Sequence, residues 1–294
     1  DIGNGLCRIY LNGSWSREGL RLLGRVFCAT AREHKGETAC FAAALDGLAH
    51  WADAVLPPRD AQTLRRQTGT LRAAGCPAVH HSAAYREQYA PHYRVVRRCY
   101  ADAWPALLLA QRVLESVSPG GHALLAIDGR CGSGKTTLAA LLAQTLPCRV
   151  VHMDDFYLPF AARRPDWRTT PLGNMDLGRL RREVLEPARL GEEIAYHAYD
   201  CPHDALRPAL LLPPRPLTVV EGSYSLAPAL RPYYDLTVFL TCSQAEQAAR
   251  LQAREGAYYP AFPACWIPLE EDYHRTYDVE HAADLVADTT AFSR

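Results

Sequence analysis

The sequence predicts an α/β fold: a parallel sheet with helices on both faces, preceded by a mainly helical module. Three observations predict it. Apolar runs at 123–127, 149–153, 217–220, 236–240 and 285–286 alternate with helical patterns, as buried parallel strands do. A glycine-rich loop joins the first of these runs to the first helix after it. Before them, helix-period repeats fill the chain up to Ser118-Pro119-Gly120-Gly121, its clearest linker. Two domains are therefore expected, 1–118 and 119–294.

The elements follow in order. Residues 7–15 hold a β-prone run and an Asn12-Gly13 turn signal, read as a strand or short hairpin. Ser16 then serves as an N-cap, Leu20, Leu23, Phe27 and Ala31 repeat at helical spacing, and Gly36 stops the helix. Helical patterns over 38–57, 60–75 and 101–116 complete the module, with an aromatic, polar stretch at 76–100 between the last two. In the second half, helices are expected over 136–145, from a cap at Asp176 to about Leu185 (limited by Pro187), and from Ser243 to Glu255. Ser243-Gln244-Ala245-Glu246 is a capping box.

Composition narrows the function. Lys and Arg number 32 and Asp and Glu 32, so no global field favours DNA or an anionic membrane. Residues 1–118 carry 15 basic against 10 acidic side chains, and 119–294 carry 17 against 22, read as two solvated surfaces. Ten scattered cysteines form no C-x-x-C pair and no zinc pattern. They are read as free, buried thiols of a reducing compartment, the cytoplasm. His80-His81 has no metal-spaced partner. No signal peptide is legible and no apolar run reaches a membrane-spanning length.

Gly129-Arg130-Cys131-Gly132-Ser133-Gly134-Lys135-Thr136 fits G-x-x-x-x-G-K-[ST] at every fixed position, between a strand and a helix. In such a loop, glycines let backbone N–H groups curl around phosphate, and the helix N-terminus adds partial positive charge. Lys135 would reach the β- and γ-phosphates of ATP and the Thr136 hydroxyl would ligate Mg2+, with Thr137 following in the first helical turn. Lys135 is one of only two lysines in a chain that otherwise uses Arg. Cys131, beside a helix N-terminus, is a spacer whose thiol pKa could be lowered. The second strand ends in His152-Met153-Asp154-Asp155-Phe156-Tyr157, two carboxylates where ligands of parallel sheets bind. One can take a proton from a hydroxyl and one can support Mg2+. Glu221-Gly222, ending the third strand, adds a second metal-supporting acid. An N-K-x-D motif is absent, which argues against a guanine-specific GTPase.

Residues 123–290 resemble the uridine kinase-like branch of P-loop kinases, which includes uridine/cytidine kinases, phosphoribulokinases and bacterial-type pantothenate kinases. The matching pieces are Ile127-Asp128-Gly129, Met153-Asp154-Asp155-Phe156-Tyr157, Asn174-Met175-Asp176, Tyr199-Asp200, Val219-Val220-Glu221-Gly222 and the run from Leu230 to Leu236. The resemblance implies a P-loop NTPase-type sheet, Asp154 as catalytic base and Glu221 as metal-supporting acid. It implies Tyr157, Asp176 and Tyr199 in the acceptor pocket, and Arg250 and Arg254 as lid arginines on one helix face. Two departures fall where the family reads a pyrimidine: Asp176 is followed by Leu-Gly-Arg, and His203 and Arg207 follow Tyr199 at shifted spacing.

The expected activity is Mg-ATP-dependent transfer of phosphate to a hydroxyl of a small, nucleoside-like molecule, with no membrane or nucleic-acid partner. A homo-oligomer is left open. Two other readings are an ATP-binding sensor with a regulatory N-terminal module, and a kinase of another small or macromolecular acceptor docked on the basic half. The segment 256–268 is read as a lid loop or a packed irregular loop.

Overall fold

A computed structural model describes residues 1–33, 36–77, 80–118 and 120–292. Pro119 of the expected linker, and Lys35, lie outside these. Nine strands are named in chain order: β1 (Leu6–Tyr10), β2 (Tyr93–Arg97), β3 (Ala123–Gly129), β4 (Cys148–His152), β5 (Ile194–Asp200), β6 (Ala205–Leu212), β7 (Leu217–Glu221), β8 (Leu236–Thr241) and β9 (Leu285–Asp288). The helices before the main sheet are α1 (Arg17–Glu33), α2 (Thr38–Val55), α3 (Pro58–Ala73), α4 (Ala83–Tyr89), α5 (Arg98–Asp102) and α6 (Trp104–Ser116). Those after it begins are α7 (Lys135–Thr145), α8 (Leu177–Leu180), α9 (Glu186–Leu190), α10 (Gln244–Glu255) and α11 (Ile267–Thr276).

The expected α/β architecture is present. Five parallel strands run in the order β4-β7-β3-β8-β9. β3 is central and every residue of it is buried, which is why it reads as an unbroken apolar run. Leu124, Ala126, Val151, Val220 and Phe239 enter one core cluster with Phe156, Leu180, Val184 and Tyr273. α7 packs against β3, β4 and β7, and α6 against β3 and β8.

The chain divides into two compact units. One holds Asp1–Arg8, Ser14–Val26 and Val95–Arg294; the other holds Ile9–Gly13 and Phe27–Arg94. Residues 95–118 therefore belong with the sheet, whereas the linker-based reading placed them in the N-terminal module. The reason is burial. Leu107 and Ala110 of α6 are fully buried, and a buried Leu contributes about 2 kcal/mol. Tyr100, also fully buried, donates through its hydroxyl to Gln144 Oε1 at 2.8 Å.

In the second unit α2 and α3 pack on each other, with Arg65 and Asp53 paired at 2.8 Å and Arg72 paired with Asp46. Ser82 caps α4, and Tyr85 stacks on His81 at 4.7 Å. His81 Nε2 is bonded to the Tyr93 hydroxyl at 3.0 Å. β1 pairs with β2, not with an adjacent strand, so Asn12-Gly13 turns the chain without closing a hairpin.

Three features differ from expectation. Pro187 does not end its helix: one wide turn at Arg181–Leu185 bonds Glu186 N–H to Arg181 O, and the helical run continues to Leu190. A proline lacks the N–H and crowds the preceding turn, and the i→i+5 turn just before it relieves both. Pro268 in α11 follows the same device, a wide turn at Phe262–Trp266 with Ile267 N–H bonded to Phe262 O. Most of the segment 256–268, read as a lid loop or a packed irregular loop, is thus helical. Finally, β5 and β6 form an antiparallel ribbon. The ten cysteines are free, but only Cys7, Cys131 and Cys242 are buried. Among the described residues no helix is long and apolar enough to cross a membrane.

Candidate active site

A cleft of about 1700 Å3 opens beyond the carboxyl ends of the parallel strands. Residues 131–137 of the loop and the first helical turn form one wall, whereas Gly129 and Arg130, also expected to hold the nucleotide, do not line it. Gly132 and Gly134 hold positive φ of 75° and 97°, and Gly134 is the N-cap of α7. Lys135 Nζ donates to Gly129 O at 2.6 Å and Arg130 O at 3.1 Å, which arches the loop over its own cation. Cys131 is buried, and burial together with the Glu270 charge raises its thiol pKa. The lowering expected from the helix terminus is outweighed.

Thr136 donates through Oγ1 to Glu221 Oε1 at 3.1 Å, and His152 Nδ1 lies 2.5 Å from the same oxygen. That hydrogen bond raises the His152 pKa. The hydroxyl and carboxylate expected to support Mg2+ are thus side by side, although no cluster of three or more His, Cys, Asp or Glu ligands occurs among the described residues. This fits magnesium, which keeps waters and takes one or two protein oxygens plus phosphate.

Asp154 lines the cleft and makes no hydrogen bond with the described residues. Although it is exposed to the cleft, the protein crowded around it disfavours its charge and raises its pKa, opposed by Lys135 and reinforced by Glu221, Glu270 and Asp155. Its neighbour is different. The Asp155 carboxylate accepts from Tyr196 Oη at 2.8 Å, its carbonyl accepts from Arg179, and it does not line the cleft. The 3-10 turn Met153–Phe156 sends the two adjacent carboxylates different ways, so Asp155 braces β5 instead of supporting a metal.

Tyr157 lines the cleft as expected, with Trp266 at 6.4 Å between ring centres. Asp176, Tyr199 and His203 do not. Asp176 caps α8 by accepting Arg179 N–H at 2.9 Å. Tyr199 is buried and donates to Asp204 at 2.7 Å, and His203 is exposed on the β5–β6 turn, 3.1 Å from Asp200. Both arginines of α10 line the cleft, but with different duties. Arg250 donates to Gly132 O, Thr289 Oγ1 and Thr289 O at 2.7–3.2 Å, tying the loop to the end of β9. Arg254 is 58% exposed, is paired with neighbouring Glu255 and lies 5.9 Å from the Phe262 ring centre, so it can reach a phosphate.

Several residues escaped sequence reasoning. Glu270 of α11, buried at the loop, accepts Cys131 N–H at 2.8 Å and Ser223 Oγ–H at 2.6 Å. Arg130, expected to hold the nucleotide, is bound to Glu271, Glu280 and Thr241, so α11 holds the loop at two adjacent residues. Asp128, wholly buried, accepts from the backbone N–H of Gly129, Tyr224 and Leu226 and from Tyr273 Oη. Burial pushes its carboxyl up to about 6 against the pull of those donors. A carboxylate inside an otherwise apolar strand was the available signal. Asp128→Asn would turn an N–H2 toward these donors and lower stability by about 3 kcal/mol at neutral pH. Thermal melting checks this, and an unchanged melting point would refute it.

Neither a family model nor a curated protein sequence matches the chain. Among solved structures it is similar to a possible uridine kinase from Bacillus stearothermophilus, at 23% identity over 63% of this chain and 98% of that one, with a TM-score of 0.49. It is similar to a candidate fructose transport system kinase from Silicibacter sp. TM1040 at 29% identity, over 61% and 97% of the chains, with a TM-score of 0.49. It is also similar to D-glycerate 3-kinase from Cryptococcus neoformans at 15% identity, over 57% and 87%, with a TM-score of 0.44. On its own topology and motif, the chain is an α/β protein with a P-loop at the carboxyl end of its central strand.

Proposed function

We propose that the chain is a Mg-ATP-dependent phosphotransferase that carries the γ-phosphate to a hydroxyl of a small molecule. The observation that carries this reading is Asp154. Its carboxylate, with no hydrogen-bond partner among the described residues, faces the same cleft as the P-loop. A nucleotide-binding protein that only senses ATP has no use for a free base at that place.

In this reading the amides of the loop and Lys135 hold the phosphates, and Arg254 swings onto the transferring group. A magnesium ion beside Thr136 and Glu221 would neutralise phosphate charge. Asp154 orients the acceptor hydroxyl and takes its proton as the oxygen attacks. Arg250 and Glu270 keep the loop in shape and touch no acceptor. Tyr157, Trp167 and Trp266, all lining the cleft, suit an acceptor with a flat ring, nucleoside-like in that respect. The transition state is largely metaphosphate-like, so positioning and charge carry the rate.

The test is ADP release from Mg-ATP across nucleosides, hydroxy acids, sugars and their phosphates, with Lys135→Ala as blank. The expected result is release stimulated by an acceptor and absent in the blank. Nucleotide binding with no stimulation by any acceptor would favour the sensor reading and overturn this one.

A further inference from the structure

The stretch after the second strand carries three arginines within six residues: Arg163, Arg164 and Arg168. Arg164 is neutralised, bonded to Asp166 at 3.1 and 3.3 Å, and does not line the cleft. Arg163 and Arg168 do line it, and neither forms an ion pair with a described residue. We propose that Arg163 and Arg168 form an anion subsite at the acceptor end of the cleft, so that the molecule phosphorylated there carries a carboxylate or phosphate besides its reacting hydroxyl. This rests on the phosphotransferase reading of the same cleft.

Arg163 is held as a recognition group is held. Its Nε donates to Leu158 O at 2.8 Å, and Nη2 is 3.4 Å from Tyr199 Oη. Its guanidinium carbon lies 4.2 Å from the Phe160 ring centre, 5.0 Å from Trp167, and 5.8 Å from both Tyr157 and Tyr199. Aromatic faces strip water from the cation without neutralising it. Nη1 is left with no hydrogen-bond partner among the described residues, aligned by its fixed neighbours. Planar guanidinium presents such free N–H groups to carboxylate or phosphate as a fork. Arg168 stacks on Trp167 at 4.6 Å and makes no hydrogen bond with the described residues. No carboxylate among the described residues forms a salt bridge with Arg163 or Arg168, although Asp204 feels the Arg163 charge. Asp204 is engaged by Tyr199 Oη and by Phe160 N–H.

The pair and the proposed base line the same cleft. Tyr157, which lines it too, has its ring 5.8 Å from the Arg163 guanidinium carbon and its hydroxyl in the field of Asp154. Cys201, another cleft residue, feels both charges. One acceptor would therefore meet both Asp154 and Arg163 in this cleft. Were Arg163 only an anchor for the 158–170 loop, its Nε bond to Leu158 would suffice and Arg168 would have no role.

The test is calorimetric binding of phenyl phosphate, benzoate and neutral benzyl alcohol to the full chain loaded with Mg2+ and a non-hydrolysable ATP analogue. A parallel titration of Lys135→Ala without nucleotide excludes the P-loop as the seat of the anion. At least one anion is expected to bind about tenfold more tightly than the alcohol, and whichever wins names the class. Arg163→Met should weaken that anion about tenfold and Arg168→Gln about threefold, with the alcohol unmoved. Arg168 is exposed, so its variant keeps the test alive should Arg163→Met unfold the loop. Anions that bind no better than the alcohol, or that bind both variants as they bind the parent, overturn the proposal. The readout needs no turnover. A chain that holds the anion yet phosphorylates nothing would sink the phosphotransferase reading alone.

Discussion

Asp154→Asn lowers turnover at least about a hundredfold and leaves nucleotide affinity nearly unchanged, the size expected for loss of a general base. Asn has the same shape, and Asp154 has no hydrogen bond within the described protein to lose. The nucleotide is held elsewhere, by the loop and Lys135. The acid limb of kcat/KM supplies a second readout. The protein crowded around Asp154 raises its pKa, and the base works only when ionised. Activity should therefore fall with decreasing pH at values above the ordinary carboxylate range, and that limb should vanish in Asp154→Asn. Any limb from His152, whose pKa is raised by Glu221, stays. The stability sign is opposite. A carboxyl whose folded pKa is raised favours the fold most below its unfolded pKa, and loses that as pH rises through the folded value. Because the carboxylate is exposed to the cleft, this contribution is small, and the variant should melt close to the parent. Parental turnover in Asp154→Asn would remove Asp154 from the mechanism.

How far the sequence could be read depended on whether the information was local. β3, β7 and β8 were legible because a strand buried on both faces is an apolar run, β4 because Val150-Val151 stand beside the carboxylates that end it, and the P-loop because its chemistry lies in eight consecutive residues. The caps at Ser16 and Ser243 were local too: each hydroxyl accepts an N–H three residues on. Side-chain direction was not local. Asp154 and Asp155 are neighbours in sequence and part ways at a single 3-10 turn. Asp176 was read both as a helix cap and, by resemblance, as an acceptor-pocket residue, and the fold adopts the cap. Glu270 reaches Cys131 across 139 residues, a distance at which no spacing rule operates. The β5–β6 ribbon was hidden because β6, though rich in Ala and Leu, is exposed almost throughout, contains Pro208 and has no β-branched residue, so neither alternation nor strand-like composition marks it. Helix breaks were over-read for a related reason. Proline forbids a normal turn before it, and the wide turns ahead of Pro187 and Pro268 are not written in residue type.

Gly129→Ala should abolish nucleotide binding and lower stability by about 3 kcal/mol or more, among the largest effects of a single methyl group. Gly129 sits at φ +135°, and a Cβ there would lie 2.0 Å from Leu240 O and 2.7 Å from Leu240 N. These are backbone atoms of β8, the strand paired with β3 at this register. No rotamer change can make room, so either the sheet parts or the first turn of the P-loop moves. The next residue shows what is lost, because Arg130 N–H bonds to the same Leu240 carbonyl at 3.1 Å. Gly134 is the comparison within the same loop. Its φ is +97°, yet an added Cβ meets nothing within 4 Å. Gly134→Ala should therefore carry only the conformational penalty of a left-handed residue, about 1–2 kcal/mol. Thermal melting of the two variants separates the causes. Equal losses would mean that backbone strain, rather than the closeness of β8, explains why the loop begins with glycine. A Gly129→Ala chain that melts with the parent and still binds ATP would contradict the packing described at the head of the loop.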